Sequence, residues 1–254
     1  MTPEGSIRKK KPDIQDVFRS AFHPAAVVSG QHADPNDIVL FVHIPKTAGV
    51  SLGESLQQGF DRFLGVDWTQ PRESFRKLSR EALYRHSVNP ERQVIAGHFG
   101  WPELRFWAEH ELPIKAISVI RDPFARFLSN FTYNSSEKHP ANVQFREKFP
   151  TLRTYARSLA TDFQITQLVG LTYSFDHALE KLVKHYTFLG VTEKLEASLD
   201  HLARSHGLEG MSSHRLNAAP AALEETADLV MARDIITEKS QNDLRLHRLV
   251  SSFY

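Results

Sequence analysis

Lys46, Thr47, Gly49 and Ser51 lie together in the stretch Val39-Leu-Phe-Val-His-Ile-Pro-Lys-Thr-Ala-Gly-Val-Ser-Leu52. A lysine ammonium is a point charge suited to phosphate-like oxygens, and the Thr47 and Ser51 hydroxyls add donors. Gly49 lets a backbone approach a ligand closely. The flanks read as an apolar strand before the loop and a helix start after it. A strand–turn–helix junction gathers backbone N–H groups and the positive end of a helix around one point, which suits an anion. The spacing is not that of the Walker A loop: its leading glycine is missing and the lysine precedes the glycine. Two other readings of the segment stand beside the anion site. One is an ordinary turn with a solvated lysine. The other is a nucleophile elbow, because Gly49-Val-Ser-Leu-Gly53 matches G-x-S-x-G. An elbow needs its glycine at the strand end, whereas Pro45 to Ala48 intervene here, and a hydrolase leaves Lys46 and Arg121 unexplained.

Two further spots bear chemistry. Arg121 ends an apolar run, and Ser129 follows two helical turns later. A guanidinium fork with a hydroxyl suits a second phosphate; the alternative is a carboxylate partner for Arg121 and plain exposure for Ser129. His98 follows a short apolar run and a glycine. An imidazole has the intrinsic pKa to take a proton from a hydroxyl near neutrality, although a hydrogen-bonded structural histidine is the commoner fate. His43, inside the run before the loop, reads as structural. Asp122 is sufficiently explained as a helix cap before Pro123, and no metal-binding spacing such as H-E-x-x-H occurs.

The elements that must carry these groups alternate in type. Asp37–Ile44, Gln93–Gly97, Pro113–Ile120 and Tyr186–Gly190 read as short buried strands. Helices are expected from about 50 to 63, from 73 to 86, after Asp122, from a Thr161–Gln164 capping box to 169, over 175–185 and 192–206, and as a final pair over 221–231 and 233–250. In the helix after Asp122, Phe124, Phe127, Leu128 and Phe131 form one apolar stripe, while Arg126, Ser129, Asn130 and Tyr133 share a face open to a ligand. Residues 135–150 read as a polar surface loop, and 212–220 as a loop holding Arg215. Trp101, Phe106 and Trp107 offer either sugar-stacking rings or core packing, core packing being the favoured reading. Strands alternating with helices imply a parallel sheet covered on both faces, with ligands beyond the carboxyl ends of the strands. Lys46–Ser51, His98 and Arg121 all follow strand ends.

Bulk composition narrows the classes. A length of 254 residues with 41% hydrophobic residues supports a sizeable core, so a globular enzyme domain is within reach. A net charge of +1 supplies no field toward nucleic acid or membrane. The absence of cysteine excludes disulfides, thiolate catalysis and cysteine-ligated metals, and fits a cytoplasmic setting. Arg8 to Lys11 precede no apolar run, so no secretory signal is expected, and no stretch nears the ~18 apolar residues of a membrane span. Residues 1–35, polar and punctuated by proline, are expected as a flexible arm with a short helix at Asp13–Phe22.

Taken together, these residues resemble the carbohydrate-type sulfotransferases, the group that includes heparan sulfate 2-O-sulfotransferase and bacterial relatives. His43-Ile-Pro-Lys-Thr-Ala-Gly-Val-Ser-Leu52 is similar to the family's 5′-phosphosulfate loop, and Arg121-Asp-Pro-Phe-Ala-Arg-Phe-Leu-Ser129 to its 3′-phosphate motif, R-D-P-x-x-R-x-x-S. Ala96-Gly-His-Phe99 resembles the segment that carries the family's proposed base. Weaker echoes are Asp162–Leu168, Leu189–Glu193 and Arg215–Asn217, and the resemblance covers about residue 38 to the C-terminus. The sequence departs from the family at Val50, where a threonine is usual.

The resemblance implies an α/β fold, P-loop-like, with a parallel sheet flanked by helices, as a single domain over 36–254 with a helical C-terminal part. It implies 3′-phosphoadenylyl sulfate (PAPS) as co-substrate, in-line sulfuryl transfer without metal, and a hydroxyl acceptor on a glycan or glycoconjugate. Lys46 would stabilise the leaving group and His98 would be the base. Lys46, Thr47, Ala48, Gly49, Val50, Ser51 and Leu52 would surround the 5′-phosphosulfate. Arg121 and Ser129 would hold the 3′-phosphate, and Arg215 would close over the nucleotide. A kinase-like phosphotransferase, needing Mg²⁺ and ATP, and a catalytically silent nucleotide-binding module remain the alternatives.

Overall fold

The computed structural model describes residues 12–25, 37–67, 69–110, 115–208, 211 and 225–254. Among these residues five strands, β1 (Ile38–Val42), β2 (Arg62–Gly65), β3 (Gln93–Gly97), β4 (Lys115–Ile120) and β5 (Tyr186–Val191), form one sheet in the order β2-β3-β1-β4-β5. Every pairing is parallel. All five residues of β1 are buried, which explains its unbroken apolar run: a central parallel strand is covered on both faces.

Strand alternation divides the core. Ile38, Leu40 and Val42 of β1 face a cluster shared with α1 (Ile14–Phe22), α3 (Pro71–Val88), α4 (Trp101–Glu109), α8 (Phe163–Val169), α9 (Phe175–His185) and α12 (Gln241–Ser251). Val39 and Phe41 face the other cluster, with α2 (Gly49–Gly59) and α10 (Leu195–His206). Leu52 and Leu56 of α2 are fully buried there. Each such side chain contributes roughly 1.5–3 kcal/mol, enough to seat the short helix that starts at the lysine loop. A satellite cluster joins α5 (Pro123–Ser135), α7 (Leu152–Ser158) and α11 (Ala227–Lys239) around Phe127, Tyr155 and Ile236, and the Phe124/Phe127/Leu128/Phe131 stripe packs into it.

Several expectations change. The helix expected to reach residue 63 stops at Gly59, and β2 forms an edge of the sheet where no strand was anticipated. Within the stretch expected as a flexible arm, α1 docks with Phe18 and Phe22 wholly buried, because its two aromatic side chains find the sheet face beside α9 and β5. The expected 135–150 loop contains α6 (Asn142–Lys148), whose Phe145 packs against Phe131 and Tyr155. The C-terminal pair breaks at Ser240 instead of near 232, so Ala232 lies inside α11 and is buried. Arg215 lies outside the described residues. No helix among the described residues is long and apolar enough to cross a membrane.

Candidate functional site

Adjacent strands β3, β1 and β4 end side by side, and each delivers one group. After β1 the chain pairs once more with β3, His43 N–H donating to the Gly97 carbonyl at 3.0 Å, and then turns sharply. Lys46 and Ala48 both take the left-handed conformation, at φ 72° and 62°. Neither is glycine, so each costs on the order of 1 kcal/mol that the surrounding packing must hold. Thr47, fully buried, does some of that holding: its hydroxyl donates to the Ile44 carbonyl at 2.9 Å. That proton is spent inside the loop, so of the two hydroxyl donors expected for a ligand, Thr47 offers only its backbone N–H.

Helix α2 starts at Gly49 behind Ala48, with no side chain capping it. Its opening N–H groups have no intrahelical acceptor, and the Leu52 N–H is the first to find one, the Ala48 carbonyl at 3.0 Å. Ser51 is buried inside this helix and not at a strained strand end, which removes the nucleophile-elbow geometry. Val50 is 59% exposed. Gly49 is required by a neighbour: a Cβ there would fall inside the His43 imidazole. The close approach that glycine permits is thus already used by His43.

His43 stacks between Phe41 and His98, its ring 4.2 Å from that of His98. Burial first, then the neighbouring His98 and Lys46, pull its pKa down to about 3, so it is a neutral packing group. His98 is exposed at the end of β3, with Nδ1 3.0 Å from the His43 carbonyl oxygen. A carbonyl only accepts, so in the neutral ring Nδ1 carries the proton and Nε2 keeps its lone pair. Partial desolvation lowers the His98 pKa, and the carbonyl contact opposes that shift. The neutral, basic form therefore dominates near neutral pH.

Arg121, the first residue past β4, donates from Nη1 to the Lys46 carbonyl at 3.1 Å and so ties the loop to the next strand. Burial lowers its pKa, and Glu193 and Asp122 oppose that shift. Lys46 Nζ lies 4.1 Å above the Tyr133 ring of α5. Its pKa is lowered by burial first and by Arg121 second. Ser129 stands one turn before Tyr133 on the same helix face, and so looks toward the loop. Asp122 caps α5, accepting from the Ala125 N–H at 2.8 Å. Among the described residues neither Lys46 nor Arg121 has a carboxylate within ion-pair distance. Two adjacent half-buried cations, with no ion-paired carboxylate among the described residues, beside an uncapped helix start make a site for a polyanion.

Residues 32–240 match the profile of the sulfotransferase family. The chain belongs to the sulfotransferase family. The class expected from the motifs, a sulfotransferase, stands. No curated protein matches the chain. Among solved structures, mouse sulfotransferase SULT7A1 complexed with PAP is 17% identical with a TM-score of 0.45, covering 94% of this chain and 96% of that one.

In this sulfotransferase the three marked strand ends do converge, and Arg126 does not join them. It is 4% exposed, with its guanidinium stacked on Phe163, and so belongs to the interior instead of the expected ligand face. Trp107 is fully buried, its indole N–H donating to Ser79 Oγ at 3.0 Å, and Trp101 packs over Gly170 and His185, so both rings serve the core. The expected capping box at Thr161 is not formed: Asp162 is the N-cap of α8, and Gln164 turns its side chain to the Arg121 backbone. Gln164, Gln167 and Glu193 are partners of the site that sequence reasoning missed. Their only advance signal was their place in the weaker family-like segments.

Proposed function

We propose that this sulfotransferase moves the sulfuryl group of PAPS to a hydroxyl of a glycan or glycoconjugate, with residues 36–254 as its catalytic domain and residues 1–35 as an N-terminal extension that adds α1 to the core. The observation that carries the reading is the half-buried Lys46–Arg121 cation pair beside the uncapped start of α2. The loop from Lys46 to Leu52 would receive the 5′-phosphosulfate, largely through the N–H groups of Thr47, Ala48, Gly49, Val50 and Ser51. Arg121 and Ser129 would hold the 3′-phosphate. The acceptor hydroxyl gives its proton to His98 Nε2 while its oxygen attacks sulfur. The bond from sulfur to the bridging oxygen breaks, and its electron pair stays on that oxygen as 3′-phosphoadenosine 5′-phosphate (PAP) departs. Lys46 stabilises the charge that develops there, and fixed cations of this kind act without reorganisation at the moment of transfer. His98 then returns its proton to solvent. A cytoplasmic setting accords with a chain containing no cysteine.

Calorimetric titration with PAP and with ATP, each with and without Mg²⁺, tests this reading. PAP is expected to bind without Mg²⁺ and in preference to ATP. Mg²⁺-dependent ATP binding with no PAP binding would establish the kinase-like alternative instead. His98→Ala is expected to keep PAP affinity and to lose turnover; near-normal turnover would move the base elsewhere.

A further inference from the structure

The geometry points to α8 as a bracket for the site, with Gln164 and Gln167 as positioning residues: Gln164 holds the backbone of Arg121, and Gln167 holds the His43 carbonyl to which His98 is tied. The inference rests on the roles just proposed for Arg121 and His98.

Gln164 is 1% exposed, and both ends of its amide are used on one residue. Its Oε1 accepts from the Arg121 N–H at 3.0 Å, and its Nε2 donates to the Arg121 carbonyl at 2.8 Å. The β4–β5 ladder ends one residue earlier, at Ile120 and Val191. The amide thus supplies Arg121 with the donor and acceptor that a neighbouring strand supplies elsewhere, and only a carboxamide offers both. Gln167, three residues on, shares that helix face. Its Nε2 donates to the His43 carbonyl at 3.2 Å and to the Phe99 carbonyl at 3.1 Å, bridging the ends of β1 and β3. The His43 carbonyl also receives His98 Nδ1, so both of its lone pairs are engaged and its direction is set.

The bracket is itself fixed. Asp243 of α12 accepts from the N–H groups of Gln164 and Ile165 at 3.0 and 2.9 Å. In return Asp162 accepts from the N–H groups of Asn242 and Asp243 at 2.8 and 3.1 Å. The two helix starts cap each other, and Arg126 lies 4.2 Å over Phe163 beside them. A short helix anchored this way sets the spacing between Arg121 just past β4 and His98 just past β3.

Gln164→Met and Gln167→Met remove the hydrogen bonds while keeping side-chain length, and both are read without any acceptor sugar. Calorimetry with PAP and with AMP reports the contribution of the 3′-phosphate. Nitrogen-15 NMR, with His98 assigned against His98→Asn, reports its tautomer. The wild type is expected to prefer PAP and to show a single Nδ1-protonated tautomer. Gln164→Met is expected to cut the PAP-over-AMP preference by about tenfold with AMP affinity held within about twofold, the size of one charge-assisted hydrogen bond to the 3′-phosphate. Gln167→Met is expected to keep that preference and to turn His98 into an exchanging mixture of tautomers. Where Gln164→Met does not fold, Gln164→Asn, polar but too short to reach, carries the same expectation. Equal losses for PAP and AMP, with the His98 tautomer unchanged, would reduce α8 to a merely structural element and overturn the inference. A wild type with no PAP preference would overturn the proposed function itself, a result visible before any variant is made.

Discussion

Gly49→Ala and Gly53→Ala place the same methyl group in the same helix, and the structure assigns them opposite signs. At Gly53 an added Cβ meets no atom within 4 Å, and the residue lies inside α2, so alanine is expected to stabilise by about 0.5–1 kcal/mol through helix propensity and a less flexible unfolded chain. At Gly49 the same atom falls within the His43 ring. Ordinary carbon contact needs about 3.5–4 Å, so ring or helix must give way by roughly 2 Å. The ring has little room to do so, being stacked on Phe41 at 5.6 Å and on His98 at 4.2 Å. Overpacking of that kind costs about 1–3 kcal/mol. Because the His43 carbonyl also orients His98, turnover is expected to fall along with stability. Urea unfolding of both variants, and of Gly49→Ala in a His43→Ala background, measures the effect. The expected coupling between the two sites is at least about 1 kcal/mol, since removing the ring removes the clash. A Gly49→Ala protein as stable as Gly53→Ala, or losses that simply add in the double variant, would refute the reasoning.

Further outcomes follow from the same site. Arg121→Ala is expected to lose most of the preference for PAP over AMP in calorimetry, and an unchanged preference would remove its assignment to the 3′-phosphate. Val50→Thr restores a hydroxyl at an exposed position of equal volume, and PAP affinity is expected to rise by about 0.5–1.5 kcal/mol; no change would mean that only the backbone N–H matters there. Stability is expected to fall with acidification. Burial lowers His43 to about 3 and both His201 and His206 to about 4. Below the unfolded value of about 6.5 the unfolded chain binds protons that the folded chain refuses, so stability present above that pH is lost as pH falls toward about 4. Between pH 7.5 and 5 the loss is on the order of 2 kcal/mol per histidine. Asp243, which burial raises to about 6, acts in the opposite sense over part of that window and offsets part of the loss. Urea midpoints at the two pH values check the balance, and a flat profile would contradict it.

The sequence by itself determined the groups and the elements that present them. Four of the five strands were legible because buried parallel strands must be short and continuously apolar. Lys46, His98 and Arg121 were legible because each follows such a run, and in a parallel sheet all strand ends of one kind lie on one edge. The edge strand β2 was not, since Arg62-Phe-Leu-Gly65 is brief and polar at its start and continues a helical pattern. Only the tertiary structure decided how the groups divide their labour. Thr47 and Gly49 carry the residue types of ligand contacts, yet one spends its hydroxyl on Ile44 and the other makes room for His43. Arg126 shares a motif with Arg121 and ends in the interior. Gln164 and Gln167 read as ordinary polar residues of a short helix and hold three strand ends. The physical reason is common to all of them. Residue type and spacing state which donors, acceptors and charges the lysine loop and its neighbouring strand ends contain, but whether a group is spent inside the fold or kept for a ligand depends on partners brought close from as far as 124 positions away in the chain.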